Sequence, residues 1–197
     1  MTANEIFHDA RVARVRELRA EIARLNAALA QTRAERDALR GHFALALAAA
    51  RDAEALPAGG RLALVDGWNA LLGSASLLAP AERRLEPCRK REILCGLVRA
   101  WLARHPLDRA WIVFDGPRAD MAADGRLRVS FTGGTGAHRA DRLICDYLRG
   151  RRAAGLKHGV CVFTEDAGFR REAAALGATI HAMNELLPAC SADGPTP

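Results

Sequence analysis

Apolar positions divide this chain into two regimes. Between about residues 4 and 55 they recur at helical spacing: Val15, Leu18, Ile22, Leu25 and Leu29 alternate steps of three and four, and Thr32, Arg36 and Leu39 continue the row less cleanly. That row has the spacing expected of a coiled-coil seam. The stretch has no proline, a single glycine (Gly41), and an abundance of Ala, Arg, Glu and Leu, which are strong helix formers. Glu17, Glu21 and Arg24 flank the stripe, as charges flank such seams. One long helix is therefore predicted. A narrow apolar stripe cannot bury itself alone, so it needs a second copy, another protein or the body of its own domain. Self-association through residues 8–42 is the favoured reading, giving a homo-oligomer.

After Leu56-Pro57-Ala58-Gly59-Gly60, a break and short linker, the pattern changes. Short unbroken apolar runs now alternate with helical stretches. Strands are predicted at about 61–65, 110–114, 127–131, 159–163 and 178–181, and helices at about 82–104, 138–153 and 167–176. Such alternation specifies a doubly wound α/β domain with a mainly parallel sheet. The chain thus reads as an N-terminal helix at 1–56, a linker at 57–60, an α/β domain at 61–190 and a flexible tail at 191–197.

Three of the apolar runs stop at an aspartate: Leu62-Ala63-Leu64-Val65-Asp66, Trp111-Ile112-Val113-Phe114-Asp115 and Val160-Cys161-Val162-Phe163-Thr164-Glu165-Asp166. Unbroken apolar runs mark strands buried on both faces, and in open α/β sheets the working residues lie just past their carboxyl ends. Parallel neighbours would gather these aspartates in one crevice. Crowded carboxylates stay ionised only around a cation or a basic ligand. A single Asp-Gly such as Asp66-Gly67 is more often a turn or a helix cap, so the weight lies in the repetition.

Two further features join this set. Asn69 stands three residues past Asp66, close enough to return a neutral oxygen or to orient the carboxylate. Ser130-Phe131-Thr132-Gly133-Gly134-Thr135-Gly136-Ala137-His138-Arg139-Ala140-Asp141 runs from a strand through a glycine-rich loop into a helix with Asp141 in its first turn. It lacks the third glycine of a dinucleotide fingerprint and the Gly-Lys-Ser/Thr of a phosphate-binding loop. Asp146, about 140° further round that helix, is expected to face elsewhere. Thr164 could hydrogen-bond a carboxylate or a bound water. Trp68 is expected to pack under the loop rather than stack on a base.

Charge narrows the partner. Of the net +6, residues 1–60 contribute +1 and residues 61–197 contribute +5. If acids are sequestered at a site, the remaining surface is more basic still, which suits a polyanion, most commonly nucleic acid. Arg139, Arg142, Arg151, Arg152 and Lys157 follow the acidic set in sequence and are candidates for backbone contacts, with His138 beside them. The five cysteines form no CxxC pair and no zinc spacing. With no secretory signal, they point to a reducing cytoplasm. No apolar run reaches membrane-spanning length.

Val65-Asp66-Gly67-Trp68-Asn69, Val113-Phe114-Asp115, Ser130-Phe131-Thr132 leading to Ala140-Asp141, and Thr164-Glu165-Asp166 together resemble the NYN branch of the PIN-like nucleases, especially its YacP-like members. The likeness spans about residues 61–188. It implies a PIN-like three-layer α/β sandwich and a Mg2+- or Mn2+-dependent endoribonuclease acting on RNA. Asp66, Asp115, Asp141 and Asp166 would hold the metal, with Asn69 and Thr164 orienting them. The family's opening motif usually carries tyrosine where this chain has Trp68. His138 stands where YacP-like proteins tend to place a glutamate; histidine keeps a donor atom and removes a negative charge. A catalytically weak RNA-binding module recruited through its coiled coil is the alternative that this exchange favours. A small-molecule phosphohydrolase ranks third.

Overall fold

The computed structural model describes residues 3–54, 56–74, 76–117, 119–134, 138–156 and 159–187. The chain divides into two compact units, Met1–Arg40 and Gly41–Pro197. One helix, α1 (Ala3–Glu54), runs through the first unit and into the second. The predicted seam stays open to solvent: Val15, Leu18, Ile22, Leu25 and Leu29 are 43–59% exposed. Arg14–Glu17 and Gln31–Glu35 pairs decorate its flanks.

The second unit is built on a six-stranded sheet. Its strands are β1 (Arg61–Asp66), β2 (Arg109–Phe114), β3 (Ala119–Asp124), β4 (Leu127–Thr132), β5 (Gly159–Phe163) and β6 (Thr179–His181), in the order β3-β4-β2-β1-β5-β6. All neighbours are parallel except β3, which pairs antiparallel with β4. Packed around the sheet are α2 (Gly67–Gly73), α3 (Pro87–Arg104), α4 (Arg139–Ala153) and α5 (Ala167–Ala175). The architecture is the expected α/β one. β3 and the short α2 are additions to the expected elements, and one expected helix is divided. β3 is exposed along its whole length, so no apolar run announced it, and its Asp120 and Asp124 suit an edge strand that must not pair further. The stretch expected as one helix at 82–104 is a short 3-10 turn (Glu82–Arg84) followed by α3, whose first turn begins at Pro87. The proposed tail at 191–197, Lys157 and Cys190 lie outside the described residues.

Strand alternation sorts side chains into two cores. Leu62, Leu64, Trp111, Val113, Val160 and Val162 face α4 and α5. Ala63, Val65, Ala110, Ile112, Cys161 and Phe163 face α2 and α3. Leu56, read from sequence as the end of the N-terminal helix, is buried in the α4-side core. Burial pushes the thiols of Cys145 and Cys161 up to about 12, so both serve as small apolar residues.

The same alternation fixes the polar rim. Asp66, Asp115 and Thr164 continue the register of the residues facing α4, and so do Ser130 and Thr132 on β4, where buried Trp111 donates its indole N–H to Ser130 Oγ at 2.8 Å. Asp66 is level with Val113, and Phe114 with Phe131, so Asp115 and Thr132 come to one height. Gly67 then lets the chain turn into α2 directly beneath Phe114: a Cβ there would lie 2.3 Å from the ring. Gly67→Ala should therefore cost about 1–3 kcal/mol in urea unfolding, with part of the loss restored in a Gly67→Ala/Phe114→Leu double variant.

Candidate functional site

The site lies at the carboxyl ends of β1, β2 and β4, under the first turn of α4. Asp66 is only 5% exposed and caps α2. Its Oδ1 accepts the Asn69 backbone N–H at 3.2 Å, and its Oδ2 accepts the Asn69 side-chain amide at 3.3 Å. Asn69 thus holds the Asp66 carboxylate in place, the second of the two roles that its spacing suggested, and Asp66 is the N-cap of α2.

Asp141 stands within hydrogen-bond reach of Asp66. Burial, then Asp141, then the more distant Asp115 push the Asp66 carboxyl up to about 8, against a smaller lowering by the Asn69 N–H. Asp141 Oδ1 is buried with no hydrogen-bond partner. Its other oxygen lies 3.3 Å from Nδ1 of His138. His138 is 75% exposed and adopts a left-handed backbone conformation (φ 58°) at the N-cap of α4. No glycine-like freedom is available to it, so the turn is held under modest strain.

Asp115 plays a different part. Its Oδ1 accepts the Ala140 N–H at 2.8 Å and the Thr132 hydroxyl at 3.2 Å, with Arg139 Nε 4.0 Å away. It therefore docks the start of α4, and with it Asp141, onto the sheet. Trp68 packs as expected: its indole N–H bonds the Asp115 carbonyl at 2.9 Å and its ring meets Phe114 edge-on. Asp166 caps α5, accepting the Phe169 N–H at 2.7 Å, while the buried Thr164 hydroxyl accepts the Asp166 N–H at 3.1 Å. Thr164 thus orients Asp166 through its backbone. Among the described residues, no three His, Cys, Asp or Glu side chains are grouped as metal ligands. The structure joins Asp66 to Asp141 most closely, places Asp115 nearby, and sets Asp166 at the end of the adjoining strand.

The basic candidates separate. Arg139 turns inward, donating to the Thr132 hydroxyl and to the Gly116 carbonyl at 3.2 and 3.1 Å. Arg142 reaches back to the His138 carbonyl. Arg151 is buried, and Arg152 donates to the Ala175 carbonyl at the far end of α4. Lys157 lies outside the described residues. Asp146 pairs with Arg149 on the exposed face, as its spacing required. Thr132 is a bracing residue that the sequence reading did not single out, and Arg139, named there as a candidate backbone contact, braces the same loop. The signal for Thr132 was the alternation that it and Ser130 share with Asp115.

No family model and no curated protein matches the sequence. A crystal structure of Rae1 (YacP) from Bacillus subtilis is similar at 21% identity and a TM-score of 0.47, covering 64% of this chain and 70% of that one. A tryptophan-to-leucine variant of the same protein gives 21% identity, a TM-score of 0.48, and coverage of 64% and 72%. No helix among the described residues is long and apolar enough to cross a membrane.

A carboxyl raised from about 4 unfolded to about 8 folded binds an extra proton in the native state between those values. Stability should then fall as pH rises from about 5 to 8 in a chelating buffer. Asp66→Asn keeps the cap and removes the charge. It should flatten that slope and gain on the order of 2 kcal/mol at pH 8, a rise of roughly 4–8 °C in thermal midpoint.

Proposed function

We propose that the chain is a metal-dependent endoribonuclease, with Asp66 and Asp141 as the central ligands of Mg2+ or Mn2+. One observation carries this: two carboxylates are packed together at the end of a central strand, one of them with a buried oxygen that lacks any donor. Hard, anionic oxygens of this kind match the ligand preference of Mg2+ and Mn2+. Bound there, such an ion would neutralise phosphoryl charge and acidify a water for attack. Asp115 and Asp166 would complete the acidic surround directly or through water. Asn69 holds Asp66 in place, Asp115 and Arg139 hold α4, and Thr164 sets the loop that carries Asp166. RNA as substrate is supported by the +5 charge of residues 61–197 and by the motif resemblance.

The test is cleavage of labelled RNA with Mn2+. Wild type should cut, Asp66→Asn and Asp141→Asn should lose at least about 100-fold in rate, and Asp146→Asn should match wild type. Equal RNA binding without cleavage by any of them would instead make the domain the RNA-binding module, which His138 beside Asp141 favours.

We further propose that α1 self-associates through the open Val15–Leu29 row. Light scattering should find the full chain as a dimer or larger, and a chain lacking residues 1–40 as a monomer. A monomeric full chain at micromolar concentration would contradict this.

A further inference from the structure

Most basic side chains of α4 are turned inward or sit at the wrong end of the domain to follow a strand across the acids. The opposite face of the sheet supplies what α4 does not. α3 runs antiparallel to the strands, so its first turns lie at the same rim as Asp66 and Asp115. Arg91, in the second turn, stands 5.3 Å over the ring of Phe131, one residue before Thr132. Between the end of α2 and the start of α3 opens a cavity of about 210 Å³ lined by Leu71, Leu72, Ser74, Leu78, Arg83 and Lys90.

Its chemistry is two-sided. Leu72 is 74% exposed, so its aliphatic surface is open to a ligand. Arg83 is anchored by Nε donation to the Leu78 carbonyl at 3.3 Å. Lys90 is half-buried and pairs with no carboxylate among the described residues. α2 links the cavity to the site: its first residue follows Asp66, and its last three, Leu71 to Gly73, line the cavity. Seven residues of helix span about 10 Å. An aliphatic floor with cations at its mouth accepts an unstacked base and the phosphate next to it.

Resting on the nuclease reading, we propose that this cavity binds a nucleotide of the single-stranded RNA flanking the phosphate held at Asp66 and Asp141. The base lies against Leu72, and the phosphate is met by Lys90 and Arg83. RNA thus crosses the rim toward the α2–α3 face, rather than along α4.

Fluorescence anisotropy with a short labelled single-stranded RNA, on the full chain in chelator, tests this. Lys90→Glu and Leu72→Asp should each weaken binding about tenfold, and Lys90→Glu and Lys90→Gln should each make its salt dependence shallower. Both positions are solvent-accessible, and an unchanged thermal midpoint establishes that the variants fold. In Mn2+ the same variants should raise KM with kcat within about twofold of wild type. Wild-type affinity in both variants, or a loss confined to Arg152→Glu, would overturn the subsite while leaving cleavage by wild type intact. A wild-type chain that neither binds nor cleaves RNA would overturn the subsite and the nuclease reading together.

Discussion

The buried Asp66 carboxylate and the partly exposed one of Asp141 are packed against each other, and the rest of the site is arranged to keep them there. The sheet's other end shows the alternative. Asp108 is as deeply buried as Asp66, but it accepts the Arg61 backbone N–H at 2.8 Å and the Arg61 guanidinium at 3.1 and 2.8 Å. Its charge is answered within the chain. Asp66 receives only amide donors from Asn69, and its nearest charged neighbours are Asp141 and Asp115. Burying a charge without a partner costs several kcal/mol, so such a pair must share a proton or recruit a cation. The fold answers Asp108 with a guanidinium at one end of β1 and gives Asp66 only amide donors and acidic neighbours at the other, an environment suited to a cation.

Holding the pair together requires more than the two residues. β1 turns into α2 only because Gly67 has no side chain to meet Phe114. Asp115 fastens the start of α4 by its bond to the Ala140 N–H, and Arg139 and Thr132 fasten Asp115 in turn. The aspartates that sequence treats as equivalent therefore divide the work. Asp66 and Asp141 face each other, Asp115 anchors the helix that brings Asp141, and Asp166 caps the helix that follows β5.

Much of this was legible in the sequence because buried parallel strands leave an unmistakable mark. The runs ending at Asp66 and Asp115 located β1 and β2 to within a residue, and Thr164-Glu165-Asp166 marked the end of β5. The pairing of Asp66 with Asn69 followed from spacing alone. What escaped notice had no apolar signature. β3 is all exposed, α2 is too short for periodicity, and the inward turn of Arg139 depends on Thr132 and Gly116, which are distant in sequence. Arginines also look alike in a sequence whether they brace a helix or face solvent. For that reason the basic residues of α4 seemed the natural RNA contacts, and the cavity between α2 and α3, assembled from three separate segments, did not appear at all.

The most direct measurement is calorimetric titration of Mn2+ into the metal-free chain at pH 7 in buffers of different ionisation enthalpy. If the Asp66–Asp141 pair holds a proton that a cation displaces, binding releases about one proton at pH 7 and fewer above pH 8, and Asp66→Asn abolishes the release. Binding without proton release, or no binding at millimolar Mn2+, would contradict a carboxylate pair that awaits a cation.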